Sequence, residues 1–213
     1  MKCEYKAYPW REGSMNVLIW SPEEITAPLP CILFLHGSGE RGDDPALLAV
    51  QALPKYLTAG YELPAIVVCP QCPEEEKWYD KPAMLEGVLQ DVCARYPVDE
   101  SRLSVTGISM GGFGTWQCIV DLPGRFFRAA PICGGGPVDR AGELKTQPIW
   151  AFHGTNDQAV DFSYSENMVN AVNAQGGDAF LTAYPGLGHL SWDLAYQQSD
   201  LIPWLLGEDV ARK

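Results

Sequence analysis

The sequence predicts an α/β fold with a mostly parallel central sheet and helices on both faces. Short apolar runs, such as 31–35 and 65–69, alternate with segments of helical periodicity, such as 81–96. Continuous apolar runs of about five residues are typical of strands buried on both faces. Strands that alternate with helices indicate crossover connections, and these place helices over both faces of a parallel sheet.

Length and charge limit the possible classes of protein. The 213 residues suffice for a large core, and without an internal repeat or linker we expect one domain over 1–213. The formal net charge is −12 and the 15 Lys and Arg residues form no cluster, which argues against a nucleic acid partner. Apolar runs fall well short of the roughly 20 residues that cross a bilayer, so no membrane span is predicted.

The amino terminus and the cysteines favour a cytoplasmic location. The first ten residues contain no apolar stretch like that of a signal peptide. Seven cysteines is an odd number, and several lie within apolar patterns, as buried free thiols do. The pair Cys69 and Cys72 has CxxC spacing but lacks the second pair or the histidines of a zinc site. Neither a disulfide framework nor a metal site is predicted.

Individual elements follow from the apolar patterns. The first two strands should form an antiparallel edge with a turn at Glu12-Gly13-Ser14. The pattern Ser163-Tyr164-Ser165-Glu166 predicts a capping box, and Pro203 should disturb the last helix. The predicted strands are 2–8, 15–21, 31–35, 65–69, 103–108, 127–133, 147–152 and 179–184. The predicted helices are 45–57, 81–96, 110–122, 163–174 and 191–206.

Ser109 is the predicted nucleophile. It lies at the centre of Gly107-Ile108-Ser109-Met110-Gly111, between a predicted strand and a predicted helix. A serine on such a turn exposes its hydroxyl at the carboxyl edge of the sheet. A GxSxG run arises by chance in roughly one of ten chains with this glycine content. The assignment therefore depends on finding a base, an acid and an oxyanion donor elsewhere.

His189 is the predicted base among three histidines. It follows the last predicted strand, in a glycine-rich loop before the last predicted helix. His36 and His153 each end an apolar strand as a His-Gly pair, where a histidine more often braces a turn. The order of the chain thus favours His189.

Asp157 is the predicted acid that orients the base. It follows the predicted strand 147–152. Asp161 is the nearest alternative, although it could equally cap the next helix. Asp178 precedes a strand and so belongs to the opposite edge of the sheet. The resulting order is Ser, Asp, His.

Two backbone amides are candidates for an oxyanion hole. Met110 directly follows the nucleophile at a predicted helix start, and Ser38 lies in the glycine-rich loop after strand 31–35. Such loops also occur as plain turns. Three aromatic residues near the same edge, Trp78, Tyr79 and Trp192, could contact an acyl or sugar group, or could equally pack the loops.

These motifs resemble those of a known family. The segments 35–42 and 99–116, with the Asp157 and His189 loops, are similar to α/β-hydrolases of the serine esterase and predicted-peptidase type. Relatives of that type include phospholipase/carboxylesterases and feruloyl or acetyl-xylan esterases. The resemblance covers nearly all of the chain from about residue 15. It implies an α/β-hydrolase fold and the triad Ser109, Asp157 and His189. The chain departs from larger relatives in lacking room for a sizeable lid domain, so we expect an open site.

The expected function is therefore hydrolysis of carboxylic esters through an acyl-enzyme, without metal or organic cofactor. Small or carbohydrate-linked acyl esters are the expected small-molecule substrates. A peptidase or thioesterase with the same triad is the alternative, and a catalytically silent binding protein on this fold is a further one. The motifs do not predict an oligomeric state.

Overall fold

A computed structural model describes residues 1–10 and 13–213. Its eight strands are β1 (Lys2–Trp10), β2 (Gly13–Ser21), β3 (Leu29–Leu35), β4 (Ile66–Pro70), β5 (Val98–Ile108), β6 (Arg128–Ile132), β7 (Ile149–Gly154) and β8 (Ala179–Tyr184). The α-helices of the described residues are α1 (Ala52–Thr58), α2 (Pro82–Arg95), α3 (Met110–Asp121), α4 (Ser163–Ala174), α5 (Trp192–Gln198) and α6 (Leu201–Leu205). Shorter 3-10 helices lie at Ser38–Glu40, Pro45–Ala49, Trp78–Asp80 and Val138–Leu144.

The strands form one sheet in the order β1-β2-β4-β3-β5-β6-β7-β8. Strands β1 and β2 are antiparallel to their neighbours, whereas β4, β3, β5, β6, β7 and β8 are mutually parallel. The predicted fold class and the antiparallel edge are thereby confirmed. Of the turn predicted at Glu12-Gly13-Ser14, Glu12 lies outside the described residues, and Gly13 and Ser14 belong to β2. The parallel strands bring their carboxyl ends to one edge.

Apolar clusters cover both faces of the sheet. In β3, Leu33 and Leu35 join one cluster, whereas Ile32 and Phe34 join the other, because successive strand residues point to opposite faces. Helices α2, α3 and α4 pack on the first face, and α1, α5 and α6 on the second. Both predicted helical layers are present. None of the described helices is long and apolar enough to cross a bilayer.

The predicted helix 45–57 is divided. A 3-10 helix forms at Pro45–Ala49, and the Asp44 carboxylate caps it by accepting a hydrogen bond from the Ala46 amide. Helix α1 starts only at Ala52. Ala52 has φ +48°, a left-handed conformation that interrupts regular helix. Apolar periodicity continues across this break, so the pattern alone did not reveal it.

The last predicted helix is disturbed near Pro203, as expected, and one further helix prediction is wrong. The segment 191–206 forms two helices with a break at Ser199 and Asp200, because Pro203 has no amide to donate to the Ser199 carbonyl four residues before it. The predicted capping box is wrong. Ser163 is the first residue of α4 rather than its N-cap, and the side chain of the N-cap residue Phe162 makes no hydrogen bond to the helix. Instead, the Asp161 carboxylate accepts a hydrogen bond of 2.8 Å from the Ser163 amide.

Candidate active site

Ser109 lies on a strained turn between β5 and α3. Its φ of +53° is left-handed, which is uncommon for a residue with a side chain. The turn is held by the Ser109 amide, which donates to the Ile132 carbonyl at 2.9 Å. A Cβ added at Gly107 would lie 2.4 Å from the Gly111 carbonyl oxygen, so only glycine fits this crossing. The turn directs the serine side chain to the carboxyl edge.

Loops after β7 and β8 bring the predicted acid and base to the same edge. Ser109 Oγ lies 3.0 Å from His189 Nε2, and His189 Nδ1 lies 2.7 Å from Asp157 Oδ2. Asp157 is buried, whereas the His189 side chain is 24% exposed. The structure thus brings together three residues of which the first and last, Ser109 and His189, are 80 positions apart along the chain.

The Asp157 carboxylate is held as an anion. Burial opposes ionisation, but the hydrogen bond with His189 and the amides of Val160 and Ala159 outweigh it, so the pKa of Asp157 lies below its usual value. Those amides donate to Oδ1 at 2.9 and 2.8 Å. An ionised carboxylate at this position selects the His189 tautomer with its proton on Nδ1.

His153 also contacts the acid, which the sequence did not predict. Its Nε2 lies 3.2 Å from Asp157 Oδ2 and 3.0 Å from the Val160 carbonyl oxygen, and its side chain is fully buried. The sequence signal for this contact is the spacing of four residues between His153 and Asp157 at a strand end. The His-Gly pair at the strand end predicts only that His153 braces a turn.

His36 braces the loop that carries Ser38. The Cys72 amide donates to His36 Nε2 at 2.9 Å, and Nδ1 lies 2.6 Å from the Gly37 carbonyl oxygen. The ring is therefore neutral with its proton on Nδ1. Burial lowers the pKa of His36 to about 4, which keeps it neutral.

The two candidate oxyanion donors lie beside the serine. Met110 is the first residue of α3, so its amide has no acceptor within the helix. Ser38 opens the 3-10 helix Ser38–Glu40, and its carbonyl accepts from Arg41 Nε at 3.0 Å. Both residues line the same cavity as Ser109. This placement is consistent with the predicted pair of amides.

Ser109 lies between two cavities. The larger one has a volume of about 540 Å³, and its walls include Tyr79, Phe113 and Tyr164. The smaller one has a volume of about 220 Å³ and is lined by His189 and Trp192 among others. A substrate attacked at Ser109 therefore has separate space on each side of the serine.

The three predicted aromatic residues occupy different places. Tyr79 is 36% exposed and lines the larger cavity. Trp192 lies edge-on to the His189 ring, with 5.3 Å between centroids, and lines the smaller cavity. Trp78 is 1% exposed and donates its indole N–H to the His36 carbonyl at 2.9 Å. It lines neither of these cavities, so it packs the loops.

Cys133 lies beside Asp157 and His189. Its sulfur and the ligand atoms of Asp157 and His189 all lie within 4.8 Å of one another. Burial raises the pKa of Cys133 to about 12, so the thiol is protonated at neutral pH. The thiol is therefore a neutral neighbour of the Asp157 carboxylate.

Comparison with known proteins gives several matches. The dienelactone hydrolase family matches residues 83–192, which include all three predicted triad residues. The bifunctional acetylxylan esterase/xylanase XynS20E of Neocallimastix patriciarum is 21% identical over 171 residues, covering 75% of this chain and 24% of that protein. Carboxylesterase SOBER1 of Arabidopsis thaliana is 25% identical over 187 residues, covering 74% of this chain and 82% of that protein.

The solved structure of a thermostable esterase is also similar to this chain. It superimposes with a TM-score of 0.84 at 30% identity, over 95% of this chain and 62% of its own. The chain thus spans less than two thirds of that esterase and about a quarter of the acetylxylan esterase/xylanase. The family match covers more than half of the 213 residues. The sheet is that of an α/β-hydrolase, and the chain belongs to the dienelactone hydrolase family.

Proposed function

We propose that this protein is a serine hydrolase that cleaves carboxylic esters through an acyl-enzyme intermediate. The main observation in support of this proposal is the continuous hydrogen-bonded path from Ser109 Oγ to His189 at 3.0 Å and from His189 to Asp157 at 2.7 Å. A serine hydroxyl becomes a competent nucleophile only when a base removes its proton during attack. The hydrogen-bonded geometry supports His189 as that base and Asp157 as the acid that orients it.

The proposed reaction has two steps. His189 Nε2 accepts the Ser109 proton as Oγ attacks the ester carbonyl, and the imidazolium then protonates the departing alcohol. Water, activated by the same ring, hydrolyses the acyl-enzyme and releases the acid. Asp157 stabilises the imidazolium in both steps. These steps require no metal or organic cofactor.

The amides of Met110 and Ser38 are the proposed oxyanion donors. Negative charge develops on the carbonyl oxygen in the tetrahedral intermediate, and amides fixed beforehand stabilise it without reorganisation. Loss of one such donor costs on the order of 3 kcal/mol of transition-state stabilisation. Because both are backbone groups, the loop at Ser38 must keep its conformation, which His36 supports.

The two cavities support separate places for the acyl group and the alcohol of the ester. The imidazolium of His189 must reach the leaving oxygen, so the alcohol belongs in the smaller cavity, which His189 lines. The acyl group then occupies the larger cavity with its aromatic walls. We propose small or carbohydrate-linked acyl esters as substrates. The acetylxylan esterase relative supports the carbohydrate-linked class.

A reducing, cytoplasmic compartment is the proposed place of action. All seven cysteines carry free thiols, and five of them are buried. Burial raises the pKa of thiols such as Cys31 and Cys69, so they stay protonated and unreactive.

Labelling with a fluorophosphonate probe tests the nucleophile. We expect the wild type to be labelled and Ser109→Ala to be unlabelled. Ser101→Ala is the matched control, because Ser101 is exposed on the same strand, and it should label normally. Absence of labelling in the wild type would overturn the serine mechanism, and labelling of Ser109→Ala would place the nucleophile elsewhere.

A series of p-nitrophenyl esters of increasing acyl length tests the ester assignment. Hydrolysis of short acyl esters, abolished by Ser109→Ala, is the expected result. Parallel assays with acetylated xylo-oligosaccharides, acyl thioesters and peptide amides distinguish the alternatives. Activity on peptides alone, or on thioesters alone, would overturn the esterase proposal while leaving the triad intact.

A further inference from the structure

We infer that His153 is a positioning residue, which donates an N–H bond to Asp157 and moderates the negative charge that Asp157 presents to His189. The inference rests on the proposed serine mechanism. His153 belongs to the end of β7, four residues before the acid, and none of its side chain is exposed. It lines neither cavity, and its hydrogen bond to the three site residues is the one with Asp157.

The surroundings of His153 determine which nitrogen carries a proton. Nε2 faces the Val160 carbonyl oxygen at 3.0 Å and Asp157 Oδ2 at 3.2 Å, both of which are acceptors. A lone pair on Nε2 would face two negative oxygens in a buried site, which is unfavourable. Nε2 must therefore carry a proton.

The other nitrogen does not change this assignment. Nδ1 lies 2.8 Å from Ser165 Oγ, and that hydroxyl lies 2.8 Å from the Gly134 carbonyl oxygen. If the hydroxyl proton goes to His153, the ring is neutral; if it goes to Gly134, the ring is an imidazolium. The Nε2 proton points to Asp157 in both arrangements. Burial lowers the pKa of His153, which favours the neutral ring.

The consequence is a carboxylate with four donors. Oδ1 receives the Ala159 and Val160 amides, and Oδ2 receives His189 at 2.7 Å and His153 at 3.2 Å. A fixed carboxylate holds His189 within reach of Ser109. The hydrogen bond from His153 also withdraws negative charge from Oδ2. The Asp157 carboxylate therefore stabilises the imidazolium of His189 less than it would if His153 did not donate.

Other titratable groups near this pair stay unchanged in the test below. Asp161 lies at the entrance to α4 and interacts electrostatically with His153 and Asp157. Cys133 follows β6 and lies beside Asp157 and His189 as a protonated thiol. Phe162 contributes only an aromatic edge against the His153 ring, at 5.6 Å. The acid limb of the pH profile therefore reports the Asp157 and His189 pair.

Two amide variants separate positioning from simple packing. The amide nitrogen of Gln falls near the place of histidine Nε2, whereas that of Asn falls near Nδ1. His153→Gln therefore keeps a donor for Asp157, and His153→Asn keeps a polar group near Ser165 but loses that donor. Both replace a buried imidazole with a buried amide, so each is the matched control of the other.

The measurement is kcat/KM of a short-chain p-nitrophenyl ester between pH 5 and 9, with the rate of fluorophosphonate labelling over the same range. In His153→Asn we expect the acid limb to move to higher pH by about half a unit and kcat/KM to fall about tenfold. In His153→Gln the limb should stay at its wild-type position. Melting temperatures of both variants report any general loss of packing.

The outcomes are distinct. Equal acid limbs in wild type, Gln and Asn proteins would overturn the positioning role, whatever their melting temperatures. A shift in both variants would show that an amide at Nε2 does not replace the donor, and would also overturn the inference as stated. If His153→Asn does not fold, His153→Leu replaces it, because leucine also lacks the donor to Asp157; an unshifted acid limb there would contradict the inference. Failure of the wild type to label would instead defeat the proposed function.

Discussion

A Cβ atom placed on Gly111 would lie 1.9 Å from the carbonyl oxygen of Leu35, at the end of β3. No real Cβ approaches a backbone oxygen so closely. The start of α3 is therefore packed directly on the strand that precedes the Ser38 loop. This contact brings the Ser38 and Met110 amides to the same side of Ser109 and gives the second glycine of the motif its structural reason.

Gly111→Ala should unfold more easily than the wild type by about 3 kcal/mol or more, because backbone must move to relieve the overlap. Urea unfolding measures the change. Gly87→Ala is the matched control: its Cβ would meet nothing within 4 Å in the middle of α2. It should be more stable than the wild type by about 0.5–1 kcal/mol. Equal stability of the two variants would contradict the close-packing explanation.

The pH dependence of stability should contain a term from His36. Its pKa is lowered from 6.5 to about 4 in the folded protein, so between these values the unfolded chain binds a proton that the folded chain does not. Stability therefore falls as pH falls from 6.5 to 4, by up to about 3 kcal/mol from this group. Urea unfolding at several pH values measures the slope.

His36→Gln is the comparison for that slope, because it removes the titrating group but retains a polar side chain. The pKa of His153 is also lowered by burial, but it contributes equally to both proteins and cancels in their difference. We expect the variant to lose less stability on acidification than the wild type. Parallel curves for the two proteins would show that His36 does not contribute.

Trp78→Phe should lower stability without changing substrate binding. The variant leaves the buried His36 carbonyl without its indole donor, which costs about 1–3 kcal/mol. Tyr79→Leu is the counterpart, because Tyr79 lines the larger cavity and is 36% exposed. It should raise KM with little change in the unfolding free energy. A higher KM in Trp78→Phe alone would contradict the packing role.

Narrowing each cavity should affect one half of the ester. Phe113→Trp reduces the larger cavity, so we expect kcat/KM to fall with increasing acyl length and to stay nearly independent of the alcohol. Gln51→Trp reduces the smaller cavity, so kcat/KM should fall with increasing size of the alcohol and stay nearly independent of the acyl length. Steady-state assays of esters varied separately in acyl and alcohol groups test this. Reversed selectivities would exchange the two assignments.

The strand and helix pattern predicted most of the fold, because buried parallel strands and amphipathic helices have strong periodicities. Strand β8 was predicted with its observed bounds, Ala179–Tyr184. Strand β5 begins five residues before its prediction, at Val98, which pairs with Leu29 of β3. The polar residues 99–102 that follow Val98 carry no apolar signal. The break before Ala52 was missed because it depends on one left-handed residue.

Ser109, His189 and Asp157 were singled out from the sequence because chain order places each after a parallel strand, and such strand ends share one edge. That reasoning needs only topology. It did not identify the contact between His153 and Asp157, and it left substrate contact and loop packing equally open for Trp78. Both depend on where side chains point once two loops are packed together.

The sequence by itself thus determined the class of fold, the edge that carries the chemistry and three candidate residues, because these follow from periodicity and from the order of elements. Tertiary structure alone decided the distances between Ser109, His189 and Asp157, the fourth donor to Asp157 and the two cavities beside the serine. Those features arise from contacts between residues far apart in the chain, and local sequence carries no record of such contacts.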